Sequence, residues 1–66
     1  MTGEELRLAR QAKALTQKKL GLLLGYSENS AERVVQLWEH DKQPIPARLW
    51  RSASKILGVP LDKFIP

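Results

Sequence analysis

Leu15-Thr16-Gln17-Lys18-Lys19-Leu20-Gly21-Leu22-Leu23-Leu24-Gly25-Tyr26-Ser27 is the stretch on which the fold turns. Thr16 stands where an N-cap belongs, with a hydroxyl free to accept from the backbone of the next turn. Lys19 occupies the position from which Glu or Gln would complete a capping box, so no box forms there. The spacing predicts a helix from Gln17 to Leu24, with Leu20, Leu23 and Leu24 as its core face. Gly25 fits the position just beyond a helix C-terminus.

Working outward, no segment alternates with a period of two, and apolar residues recur at helical spacing throughout. On the N-terminal side a helix from Gly3 to Lys13 aligns Leu6, Ala9 and Ala12, with Arg7 and Arg10 away from that stripe. Glu4 and Glu5 lie in its first turn, where the positive end of the helix dipole favours them. On the C-terminal side Tyr26 to Ser30 is polar and turn-rich. A helix from Ala31 to His40 follows, with Val34 or Val35 and Trp38 facing inward. Asn29 or Ser30 caps it, and Asn29 would form a box with Glu32. Two prolines stop helix in Asp41 to Pro46, and Pro46 suits the first position of the next helix. Leu49, Trp50, Ala53, Ile56 and Leu57 make that helix's apolar face, and Gly58 ends it. A last short helix covers Leu61 to Ile65. The fold expected is all-α, a compact bundle of five short helices in one domain spanning residues 1–66.

The 66 residues carry 11 Lys and Arg against 7 Asp and Glu, a net charge of +4. On so small a domain that balance favours an anionic partner, nucleic acid foremost. There is no cysteine, so neither a disulfide nor a thiolate metal site is available. The acidic start of the chain is unlike a signal peptide, and the Leu20–Leu24 cluster is too short to span a bilayer. These features point to a cytoplasmic protein with no membrane association.

Three segments together resemble the lambda-repressor/Cro-like (XRE-like) helix-turn-helix family. Leu15 to Ser27 is similar to the first half of that motif. Val35-Gln36-Leu37-Trp38-Glu39-His40-Asp41-Lys42 is similar to the end of its recognition helix. Ile56-Leu57-Gly58-Val59-Pro60-Leu61-Asp62-Lys63-Phe64-Ile65 is similar to its closing helices. A helix-turn-helix needs two helices crossing closely on a tight turn. Gly21, one turn after Gln17, would permit the approach, and Gly25 would supply the turn, above a core of Leu20, Leu24, Val35 and Trp38. The chain departs from the family between the helices. Counted back from Trp38, the family's capping position falls on Ala31 rather than Ser27. The connection is therefore about four residues longer, either as an enlarged loop over Glu28 to Ala31 or as an added turn of helix three.

The resemblance implies double-stranded DNA as the partner and places the base-facing positions on Glu32, Arg33, Gln36 and Leu37. Their chemistry suits base reading, since Arg pairs with guanine O6 and N7, Gln with adenine N6 and N7, and Glu accepts from cytosine N4. Backbone contacts are expected from Gln17 at the start of helix two, from Lys18 and Lys42, and from Arg48 in the basic stripe Arg48, Arg51, Lys55. Asn29 and Ser30 in the lengthened connection are further candidates. Two-fold dimers are usual for such proteins, because one recognition helix reads few base pairs. Trp50, Leu61, Phe64 and Ile65 are the candidate dimer contacts.

Other chemistry finds little footing. His40 has no second histidine or cysteine with which to bind a metal. Ser27, Ser30, Ser52 and Ser54 have no histidine base at workable spacing. No enzyme activity, cofactor or metal is expected. A sequence-specific transcriptional regulator, a repressor, is the leading expectation. The alternative is a helical interaction module of the same fold without DNA binding, for example an antitoxin with a toxin partner or an adaptor. Acidic Glu28 and Glu32 speak for that alternative.

Overall fold

Thr2 opens the first helix, α1 (Gly3–Ala12), through a capping box: its hydroxyl accepts from Glu5 N–H, and the Glu5 carboxylate accepts from Thr2 N–H. Those Thr2 hydrogen bonds, the backbone one foremost, hold the Glu5 carboxyl below its ordinary range. The computed structural model describes residues 1–66. α2 (Gln17–Leu23) is capped by the Thr16 hydroxyl, which accepts from Lys19 N–H at 3.0 Å. α3 (Ala31–Glu39) follows the Leu24–Ser30 connection, and α4 (Trp50–Leu57) follows a 3₁₀ turn at Ala47–Leu49. A second 3₁₀ turn covers Leu61–Lys63. The chain is all-helical with no strand, and no helix is long and apolar enough to cross a membrane.

The expected five helices are thus four α-helices and two 3₁₀ turns. The segment from Leu61 closes only a single 3₁₀ turn, with Phe64 N–H donating to Leu61 O at 3.0 Å. Pro46 is extended, with ψ 136°, and stands one residue ahead of the 3₁₀ turn instead of opening the helix.

The first three helices end alike. Residue Ala14, Gly25 or Asp41 takes positive φ (57°, 99° and 57°), and the next residue's N–H reaches back to the carbonyl of Arg10, Gly21 or Leu37. This is the Schellman pattern, which satisfies carbonyls the helix leaves open. Asp41 adds a tertiary contact, accepting from Gly3 N–H at 2.9 Å. No side chain caps α3: Ser30 occupies the N-cap, but its hydroxyl pairs with that of Ser27 at 3.1 Å. The expected Asn29–Glu32 box is therefore absent. The connection itself contains a helical turn, with Ala31 N–H donating to Ser27 O at 2.8 Å, ahead of α3 proper.

The core gathers Leu6, Leu20, Leu24, Val35, Trp38, Ala53, Leu57 and Phe64. Tyr26 packs edge-on against Trp38, with ring centroids 5.8 Å apart. Two expectations about facing are corrected here. Leu23 is 48% exposed, because α2 meets α3 through Gly21 and its inward face runs through Leu20, Gly21 and Leu24. Arg10, expected outside the apolar stripe, is buried on the same face as Gly3 and Leu6. Ala12 is exposed instead.

Two glycines let helices touch at their backbones. A Cβ on Gly21 would stand 2.7 Å from both Ala31 C and Cα and closer still to its carbonyl oxygen. A Cβ on Gly3 would meet the Glu39 carbonyl and Trp38 O, the latter at 2.9 Å. Gly21→Ala is accordingly expected to destabilise by about 1–3 kcal/mol, as overpacking against immovable backbone does. The sign tests the contact, because at an unhindered helix site the same change would stabilise by about 1 kcal/mol. Urea unfolding of the two proteins decides it.

Candidate nucleic-acid interface

α3 owes its outward face to what it buries. Ala31, Val35 and Trp38 point inward, and successive side chains turn by about 100°. Glu32, Arg33, Gln36 and His40 are left exposed on the opposite side, with Leu37 half-buried beside them. Arg33, Gln36, Leu37, His40 and Lys42 line one shallow depression. Four of the five carry hydrogen-bonding heads and one is aliphatic. Polar base edges and a thymine methyl group call for such a mixture. His40 was not among the residues expected to act. Its spacing of four from Gln36 and seven from Arg33 is the signal that places it on their face.

The Schellman turn after α3 sets the rim of this depression. Lys42 N–H donates to Leu37 O at 2.9 Å, which fixes the backbone from which the Lys42 side chain projects. Asp41, between His40 and Lys42, is tied to the start of α1 by its bond from Gly3.

Beneath the face lies a buried charged network. Arg10 Nε donates to Glu39 Oε2 at 2.6 Å and Arg10 Nη2 to Glu39 Oε1 at 3.2 Å, a two-pronged pair. Arg10 Nη1 donates to Leu15 O at 2.8 Å. Gln17 Nε2 donates to Glu39 Oε1 at 3.1 Å. The Glu39 carboxylate thus joins α1, α2 and α3, and Arg10 ties in the α1–α2 turn. Gln17, expected to face a phosphate with its side chain, has one amide donor committed to Glu39. Arg10 and Glu39 escaped sequence reasoning, which treats charged residues as exposed until a partner is known.

The remaining candidates scatter. Lys18 is exposed and ion-paired with Glu28, Nζ to Oε1 2.8 Å. Arg48 is exposed on the first 3₁₀ turn, and Arg51 and Lys55 are exposed along α4. Asn29 is exposed and Ser30 half-buried in the connection. Trp50 is half-buried, its indole N–H donating to Ile45 O at 2.9 Å. Leu61 and Ile65 are exposed. Phe64 is 5% exposed within the core and is not free to make the dimer contact expected of it. Its ring is drawn in because the chain turns back at Leu61–Lys63 and Phe64 is the apolar residue of that turn facing the bundle.

The chain carries a net charge of +4, and most of its carboxylates are engaged while most of its cations are not. Glu4, Glu5, Glu28, Glu39 and Asp41 are all hydrogen-bonded or paired, leaving only Glu32 and Asp62 without partners. Of the 11 Lys and Arg, only Arg7, Arg10 and Lys18 sit in ion pairs. The unpaired cations include Arg33 and Lys42 beside the depression. No protein-family model, curated protein or solved structure matches the chain.

Proposed function

We propose that the chain is a sequence-specific DNA-binding transcriptional regulator, a repressor of lambda-repressor-like fold, that inserts α3 into the major groove. The observation carrying this is the exposed face of α3, where Arg33, Gln36 and Leu37 share a depression with His40 and Lys42. Arg33 and Gln36 supply bidentate donors and acceptors for guanine and adenine, and Leu37 supplies apolar contact. Glu32, the one free carboxylate at that end of α3, accepts from cytosine. Lys42 and Arg48 neutralise phosphates, and Asn29 and Ser30 flank the groove from the connection. One such helix reads few base pairs, so the working unit is a cytoplasmic homodimer on a two-fold site, with Trp50, Leu61 and Ile65 as the side chains available for pairing.

The test is a set of paired titrations on a duplex selected from a random pool and on its scrambled counterpart. Arg33→Ala and Gln36→Ala each cost about 1–3 kcal/mol on the selected duplex and little on the scrambled one. Arg48→Ala weakens both alike and lowers the log-log salt slope by about one. Equal losses on both duplexes for Arg33→Ala and Gln36→Ala would remove them from base reading. A binding constant indifferent to salt would overturn the regulator itself and favour the interaction module.

A further inference from the structure

The lengthened connection does more than separate two helices, because it places a carboxylate on a cation of α2. Lys18 lies on the second residue of α2 and Glu28 in the connection, ten positions on, with Nζ and Oε1 2.8 Å apart. This is no pairing of neighbours on one helix face. It ties α2 to the segment leading into α3. The helical turn at Ser27–Ser30, closed by Ala31 N–H on Ser27 O and by the Ser27–Ser30 hydroxyl pair, fixes where Glu28 stands. Both side chains are open to solvent, 48% and 74% exposed, so a third charged group can reach either. Lys18 is the one lysine of the chain in an ion pair.

We infer that Glu28 restrains binding to duplex DNA of arbitrary sequence by holding the Lys18 ammonium in an intramolecular ion pair, away from the backbone phosphate it would otherwise neutralise. The inference rests on the DNA-binding function proposed above. A carboxylate and a phosphodiester oxygen offer an ammonium the same singly charged acceptor, so the two compete for one site. The hydrogen bond to Glu28 raises the affinity of Lys18 for its proton, and Lys18 lowers that of Glu28. Glu32 adds a second, more distant carboxylate field at Lys18. An exposed pair of this kind is weak, so the restraint it exerts is modest. Arg33 and Lys42, without such partners, meet DNA at no comparable cost.

The experiment follows fluorescence anisotropy of a labelled random-sequence duplex across a salt series. The proteins are the parent, Glu28→Gln, Lys18→Gln and the double variant. Glu28→Gln is expected to tighten binding about two- to fivefold at the lowest salt, the range an exposed pair can hold back. It should also steepen the log-log salt slope by about 0.9, one more neutralised phosphate. The double variant should share the slope of Lys18→Gln. An unchanged slope in Glu28→Gln, with the parent still binding, overturns the restraint alone. A steeper slope that persists without Lys18 also overturns it, since Glu28 would then act only as a bare charge. Failure of all four proteins to bind overturns the DNA-binding function together with the restraint.

Discussion

Trp38→Ala is expected to lower the free energy of unfolding by about 3–5 kcal/mol, the cost of emptying a large core site. Trp38 is 4% exposed and lies amid Leu6, Leu20, Leu24, Val35 and Leu57. It also carries the edge-on contact with Tyr26, at the far side of the α2–α3 connection. A chain of 66 residues has roughly 3–10 kcal/mol in total. The loss is thus about three tenths or more of the whole, and a midpoint temperature lower by about 12 °C or more is expected. Circular dichroism is the measurement, because the chain has only two tryptophans and the substitution removes one of them as a fluorescent reporter. Trp50→Ala is the comparison: Trp50 is half-buried, so its loss should be smaller. If Trp38→Ala melts with the parent, or Trp50→Ala costs more, the register of α3 is wrong, and the base-facing positions move with it.

Much of this is legible in sequence, for identifiable reasons. Thr16, Gly25 and Gly58 punctuate helices by chemistry that acts within a few residues, and each stands at the helix end its type foretells. Trp38 repeats at three- to four-residue spacing from Val34 or Val35, which marks the inward side of α3, and the structure selects Val35 of the two valines. The α3 candidates follow from that face, and the structure brings Arg33, Gln36, Leu37 and Lys42 to one depression. The Thr2–Glu5 capping box is also written in the chain, in the pattern Thr-x-x-Glu, although apolar spacing alone does not reveal it.

What is not legible depends on distant partners. In Leu20–Leu24 four leucines surround one glycine, and no polar residue breaks the tie between possible inward faces. Contact with Ala31 decides it, by rolling α2 onto Gly21 and leaving Leu23 outside. The length of the connection is visible, but not that part of it coils into a turn of its own. Arg10 and Glu39 are 29 residues apart, Gly3 and Asp41 are 38 apart, and no local pattern joins either pair.

Glu39→Ala is expected to cost about 3–5 kcal/mol, as large as the loss of Trp38, because it leaves a buried cation without its counter-charge. In the parent, Arg10 spends three nitrogens on Glu39 and Leu15 O, and no buried side-chain polar atom lacks a partner. Removing the carboxylate strips Arg10 of its charge partner and Gln17 of its acceptor, while the Leu15 carbonyl alone remains. The cost therefore reflects an orphaned charge rather than the net worth of the pair. That distinction can be measured. Replacing both ends with apolar residues, Arg10→Met with Glu39→Leu, leaves no buried charge and should destabilise less than Glu39→Ala alone. Urea unfolding of the parent, the single and the double variant gives the comparison. A single variant within about 1 kcal/mol of the parent would mean that water already reaches Arg10, as at exposed pairs. A double variant worse than the single would mean that the network holds α1, α2 and α3 in register through its hydrogen bonds. Glu39 would then stabilise by direct bonding, and Gln17 would owe its place at the start of α2 to that bond.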